Sequence, residues 1–255
     1  MQKIIKIVSA LSLLILTSCV SKKKIVYFQN DVNNQLEINN VNQTVFKPGD
    51  LIQITVSALD LEAVKPFNLP AVTYATTTNN VLGTPQQLSY LIDVNGNIEF
   101  PILGKIKLAD LKRTEAISLI KTKLSPDYIL NPTINIKISN FSVTVLGDVK
   151  KPGRFIIPNE RITVIEAIGL AGDLNISGIR SIEVKREKDN KIITYNLDLR
   201  SNDIFSSPAY FLQQNDIIYV KPNKATSQSA SYNQNTGLFI SIGSVIISLI
   251  SILTR

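Results

Sequence analysis

Between Thr133 and Ser139 the chain places Ile134, Ile136 and Ile138 on one side and Asn135 and Lys137 on the other. A period of two belongs to a strand with one face in a core and one in water. A turn followed by a short apolar run recurs along the chain. Lys47-Pro48-Gly49-Asp50 reads as a turn, and Leu51 to Val56 reads as a strand rich in β-branched residues. Residues Asn79 to Pro85 read as a loop. Tyr90 to Asp93 and Asn97 to Phe100 flank Val94 and Asn95-Gly96, which predicts a hairpin because both turn residues tolerate positive φ; Pro101 ends its second arm. A helix is expected over Thr114 to Leu124, with Ala116, Ile117, Ile120 and Leu124 on one face, Thr114 as its cap and Pro126 as its stop. Residues 45–140 therefore predict a small α+β domain.

A second unit is expected over residues 141–222. It opens with Val143 to Gly147 and turns at Lys151-Pro152-Gly153, where proline and glycine suit the central positions of a type II turn. Thr163-Val164-Ile165-Glu166 has the spacing of a capping box, and Gly172 is placed to end the helix that follows. Strands are expected over Ser181 to Glu187 and Lys191 to Leu199, joined through Asp189-Asn190. Asp216 to Val220 then repeats the turn-then-strand order of Asp50 to Val56.

The two ends of the chain differ from this middle. Lys3 and Lys6, the apolar run Ile7 to Leu16, and the small residues Thr17-Ser18 precede Cys19, the only cysteine. The run is about ten residues, whereas a bilayer-crossing helix needs roughly 20, so an export leader over residues 1–18 is the expectation. The pattern resembles the lipobox of bacterial lipoproteins, which implies that Cys19 becomes the acylated first residue. Val20-Ser21 lacks an aspartate retention signal, which by analogy favours the outer membrane. Residues 19–44, rich in Asn and Gln, read as a tether to the first folded unit.

Composition removes many chemistries. The chain has no histidine, and acylation of Cys19 would leave no thiol, so a Ser-His-Asp triad, a Cys-His pair and a His-ligated zinc are all excluded. Carboxylate pairs of the glycosidase kind remain possible, but most of the 20 acidic residues read as turn, cap or alternating strand positions. No enzyme and no cofactor or metal is expected. The formal charge of +7 loses Lys3 and Lys6 with the leader, leaving +5, and the scattered basic residues do not suggest nucleic acid. Lys22-Lys23-Lys24 lies where it could meet lipid headgroups.

Pro48-Gly49-Asp50 before a strand, Tyr90 to Ile98 leading into Pro101-Ile102-Leu103-Gly104, and Asn131-Pro132 together resemble the polysaccharide-export domain of bacterial outer-membrane exporters. Val145 to Gly153, Thr163 to Ala167, Ala171-Gly172 and Gln214 to Val220 are similar to the soluble-ligand-binding β-grasp (SLBB) domain that accompanies it. The resemblance to this Wza-like (OPX) family implies a lipid-anchored outer-membrane ring with its domains in the periplasm. Such a ring passes capsular or exopolysaccharide and works with an inner-membrane copolymerase. It implies a homo-oligomer and no bond chemistry. Asp50, Asp216 and the turn glycines are read as turn residues rather than glycan contacts. A lipid-tethered, glycan-binding or scaffolding module without transport is the alternative class.

Residues 223–236 read as a polar linker, and 237–254 as a transmembrane helix. Gly237, Ser241, Ser244, Ser248 and Ser251 fall on one narrow stripe, with Phe239, Ile242, Ile246, Ile250 and Leu253 opposite. Three roles fit those serines. They could line a pore, as the resemblance implies; they could allow close helix packing; or they could bond back to their own helix.

Overall fold

A computed structural model of the chain describes residues 22–29, 44–72, 86–188, 191–230 and 236–253. The first unit runs through β1 (Leu51–Ser57), α1 (Leu61–Val64), β2 (Ala71–Val72), β3 (Gln86–Gln87), β4 (Tyr90–Leu91), β5 (Asn97–Phe100), β6 (Gly104–Lys107), α2 (Arg113–Leu124) and β7 (Thr133–Ile138). β1 is the central strand of an antiparallel sheet ordered β4-β1-β7. Its register with β7 sets Ile52 beside Ile138, Ile54 beside Ile136 and Val56 beside Ile134. The apolar rows of both strands therefore share one face, and a slip of one residue would turn every isoleucine to water. α2 covers that face with Ala116, Ile120 and Leu124, all buried. Each of the two larger side chains contributes about 1.5–3 kcal/mol by leaving water.

Two local expectations change. The Asn95-Gly96 turn forms, but its arms do not zip together. β4 pairs with β1, and β5 folds forward onto β6. The turn is held instead by the Asp93 carboxylate, whose Oδ1 accepts from the amides of Asn95 and Asn97, both at 2.8 Å. Gly96, at φ +86°, is needed because a Cβ there would lie 2.6 Å from the Cβ of Ala109. At α2, Thr114 is not the cap. The helix starts after Lys112, whose amide donates to Glu115 Oε2 at 2.8 Å.

The second unit contains β8 (Ser142–Gly147), β9 (Gly153–Ile156), α3 (Val164–Leu170), β10 (Ser181–Lys188), β11 (Lys191–Asp198) and β12 (Ile217–Val220). Its sheet is ordered β11-β10-β12-β8-β9, antiparallel except for β12 beside β8. The capping box forms as its spacing predicts. Glu166 N donates to Thr163 Oγ1 at 3.2 Å, and Thr163 N donates to Glu166 Oε2 at 2.7 Å. Gly172, at φ +75°, follows the helix end. Gly147 has φ +94°, and a Cβ there would run into the carbonyl of Val220, so the parallel pair closes only around glycine. The predicted loop at Asn79 to Pro85 and turn at Asp189-Asn190 lie outside the described residues.

The described parts of the segments expected to be tether and linker form defined structure. Residues 25–29 dock on the second unit rather than leading freely to the first: Phe28 N donates to Leu199 O at 3.1 Å and Gln29 N to Arg200 O at 2.7 Å. The linker begins with a short helix, α4 (Lys224–Ala230), capped by Asn223, whose Oδ1 accepts from Thr226 N at 2.9 Å. α5 (Thr236–Leu253) then forms where a transmembrane helix was expected. Its 18 residues give a length of about 27 Å, short of the roughly 30 Å of an average hydrocarbon core. Among the described residues, no helix is long and apolar enough to cross a membrane. The transmembrane reading of residues 237–254 is corrected accordingly: the helix is there, its span of a bilayer is not established.

Candidate functional site

Three regions could do the work of this protein: the seam between its two units, the N-terminal strap and the C-terminal helix. At the seam, Asn140 belongs to both sides. Its Oδ1 accepts from Leu51 N at 2.9 Å, its Nδ2 donates to Gly49 O at 3.1 Å, and its own carbonyl accepts from Gln214 Nε2 at 3.0 Å. Glu160, from the second unit, reaches the first. Its Oε1 accepts from Ile138 N at 2.7 Å, and its other oxygen is paired with Arg113 at the start of α2. Burial raises the Glu160 carboxyl above its ordinary range, against the opposing pull of the Ile138 amide and the Arg113 charge. Beside it, Asp50 is buried and also raised, first by burial and further by the Glu160 charge, while the Lys47 amide lowers it. The seam thus keeps two acidic groups out of water at the joint between units.

The strap is pinned by aromatic and cationic side chains. Tyr27 Oη donates to Asp173 Oδ1 at 2.6 Å, and burial followed by that hydrogen bond pushes the phenol well above its usual value. Arg180 Nε donates to Ile25 O at 3.2 Å, and its guanidinium stands 5.7 Å from the centre of the Tyr27 ring. Phe28 stacks on Phe205 with ring centres 5.4 Å apart. Neither Arg180 nor Asp173 is singled out by sequence; the adjacent Tyr27-Phe28 pair inside a polar stretch was the available signal. Cys19 lies outside the described residues.

On α5, where the serine stripe was expected, the hydroxyls of Ser244 and Ser248 bond backward. Ser244 Oγ donates to Ser241 O at 2.8 Å and Ser248 Oγ to Ser244 O at 2.9 Å. This is the geometry of serines satisfying their own helix. The hydrogen of each hydroxyl is spent there, but the oxygen keeps lone pairs for an external donor. The side chain of Ser251 is outside the described residues. Ile242, Val245, Ile246, Leu249 and Ile252 are all exposed.

The arrangement supplies ties and surfaces, and among the described residues no cluster of His, Cys, Asp or Glu is placed to hold a metal. A likeness to known proteins falls on the first unit: residues 39–139 match the model of the polysaccharide biosynthesis/export protein family. The matched segment is similar to that family, in line with the resemblance read from the sequence. It is also similar to the EPS I polysaccharide export outer membrane protein EpsA of Ralstonia solanacearum, with 25% identity over 179 residues, covering 69% of this chain and 47% of that protein. The EpsA protein of Ralstonia nicotianae is 24% identical over 142 residues, covering 54% of this chain and 37% of its own length. The chain spans less than half the length of the curated relatives it matches.

Proposed function

We propose that this protein is a non-enzymatic component of polysaccharide export at the outer membrane. Several copies would form a ring through which capsular or exopolysaccharide passes, held by lipid on Cys19 and supplied by an inner-membrane copolymerase. The single observation that carries the export role is the family match over residues 39–139, supported by relatives named as outer-membrane exporters of EPS I polysaccharide. The ordered match of Val145 to Gly153, Thr163 to Ala167 and Gln214 to Val220 supports reading the second unit as an SLBB β-grasp domain. A mixed sheet beside one short capped helix fits that reading.

Ring formation is supported by surface that the single chain leaves uncovered. α5 carries no charged residue and exposes its aliphatic side. Copies of α5 would gather into a collar at the outer membrane, aliphatic residues outward and Ser241, Ser244, Ser248 and Ser251 inward. In that arrangement the serine oxygens accept weak, exchangeable hydrogen bonds from passing sugar hydroxyls. The chain also lacks tryptophan, the largest stacking platform, which suits a conduit better than a tight lectin.

Electron microscopy of the detergent-extracted protein tests the ring, compared with a chain truncated after Asn235. A closed ring whose end cap disappears on truncation is the expected result, whereas monomers in both samples would favour a tethered, non-transporting module. Within cells, Ser244→Leu or Ser248→Leu should cut polymer release while leaving assembly intact; undiminished export with either change would remove the serines from the lumen.

A further inference from the structure

Residues 25–29, the turn at Lys150-Lys151, the loop from Asp173 to Arg180 and the chain leaving β12 all meet at one corner of the second unit. Lys150 N donates to Asp173 O at 3.1 Å, Ile179 N to Lys221 O at 2.8 Å and Asn223 N to Ser177 O at 2.8 Å. Arg180 knits the corner by donating to the carbonyls of Asn175 at 2.9 Å and Ile25 at 3.2 Å. We propose that this corner is a lipid-contact surface, seated on the anionic headgroups of the bilayer that holds the anchor.

Three observations support a membrane as the occupant. The first is reach. Cys19 lies only six positions before Ile25, so even a fully extended chain places the anchor within about 20 Å of the docked strap. The second is that the route to the apolar α5 leaves from the same corner, through Lys221 to Asn223. The two stretches of chain with affinity for lipid therefore depart together.

The third is surface chemistry. Ile176 is 80% exposed and Val26 is 54% exposed, although both are aliphatic. On the same segments Lys23, Lys24, Lys150, Lys151 and Lys224 are exposed. Of the corner's acidic groups, Asp173 accepts from Tyr27, Asp148 accepts from Asn175 through one oxygen only, and Glu183 is bridged by Lys185 and Lys221. The segments of this corner thus expose aliphatic side chains together with lysines for which, among the described residues, no ion pair is formed. Lysines near anionic headgroups are drawn to them, and the aliphatic tips favour the interface further. A protein partner would need a complementary acidic face, and nothing in the chain's own surface pattern calls for one.

This proposal rests on the reading of Cys19 as the anchor, and its test separates the two. The full-length protein is reconstituted into phosphatidylethanolamine–phosphatidylglycerol vesicles containing lipid brominated near the headgroup. Bimane is attached at Ile176→Cys or, as the control on the first unit, at the exposed Leu130→Cys. Quenching several-fold stronger at position 176 than at 130 is expected, and equal quenching overturns the proposal. In the Ile176→Cys protein, adding Lys150→Glu and Lys151→Glu should weaken quenching in these vesicles and leave it unchanged in purely zwitterionic phosphatidylcholine. Mass spectrometry of the N-terminal peptide reports acylation independently. An acylated Cys19 with an unquenched position 176 sinks the lipid-contact surface alone. An unmodified Cys19 sinks the anchor reading alone, and the comparison of positions 176 and 130, repeated with Cys19→Ser, then decides the surface.

Discussion

Asp50 in the first unit and Asp216 in the second occupy equivalent turns with different electrical surroundings. Each is buried, each accepts from the amide three residues earlier, and each is followed directly by a strand. Lys47 N donates to Asp50 Oδ2 at 2.9 Å, and Gln213 N donates to Asp216 Oδ2 at 2.8 Å. Asp216 also receives Arg186, whose Nε lies 3.0 Å from Oδ1 and whose Nη2 lies 2.7 Å from Oδ2. The same guanidinium donates to Phe211 O at 3.0 Å and stands over Tyr195, 5.5 Å from the ring centre. Among the described residues Asp50 has no such arginine: burial raises its pKa, the Lys47 amide and charge lower it, and the Glu160 charge raises it further. The turn itself needs only a carboxylate oxygen as acceptor, so the arginine is an addition that locks one unit, while the other keeps a carboxylate whose charge is costly.

The largest break in this comparison is expected at Arg186. Arg186→Ala leaves the Asp216 carboxylate buried without its partner, which should cost about 3–5 kcal/mol in urea unfolding. A loss below about 1 kcal/mol would mean that water replaces the guanidinium. Glu160→Ala comes next, at about 1–3 kcal/mol, because the Ile138 amide loses its acceptor. Limited proteolysis should then cut near the joint at Asn140 before either sheet is attacked; simultaneous loss of both sheets would contradict a seam held by this residue.

Asp50→Asn should have a small effect of opposite sign at neutral pH. Asparagine can still accept from the Lys47 amide without burying a charge, so stability should rise by less than about 1 kcal/mol. Asp216→Asn, by contrast, should destabilise the protein, since it strands the Arg186 charge. If both changes moved stability in the same direction, the arginine would not be what distinguishes the turns.

The smallest effect is a slope. The carboxyls of Asp50 and Glu160 are raised, so the folded state holds their protons more tightly than the unfolded chain does. Their contribution to stability is complete below the ordinary carboxylate range and is lost as pH rises through the raised values. Asp198 behaves oppositely. The Arg200 hydrogen bond lowers its pKa, so its contribution holds above the ordinary range and fades as pH falls through the lowered value. Urea midpoints taken between about pH 4 and about pH 7 should show a flatter curve for Asp50→Asn than for the unaltered protein.

The legible parts of this fold were those written in neighbouring residues. Ile134, Ile136 and Ile138 announced a half-buried strand, and Thr163 with Glu166 announced a helix start that forms with both reciprocal bonds. The Asn95-Gly96 signal located a turn correctly yet misassigned its pairing. A turn fixes local φ and ψ, whereas the partner of β5 depends on which strand already covers β1. For the candidate site, the serine spacing on α5 was visible, while the strap was not: Tyr27 lies 146 residues from Asp173.

Sequence alone thus determined the basic-then-apolar run before Cys19, the exclusion of histidine chemistry, and those turns, strands and helix starts written in neighbouring residues. These follow from short-range sterics, capping and periodicity, which act over a few residues. Only the tertiary structure decided that β12 lies parallel to β8, that Arg186 rather than a lysine meets Asp216, and that residues 25–29 dock on the second unit. Those outcomes depend on closing a whole core, where groups distant in sequence must share one buried volume and every buried charge must find its partner or keep its cost.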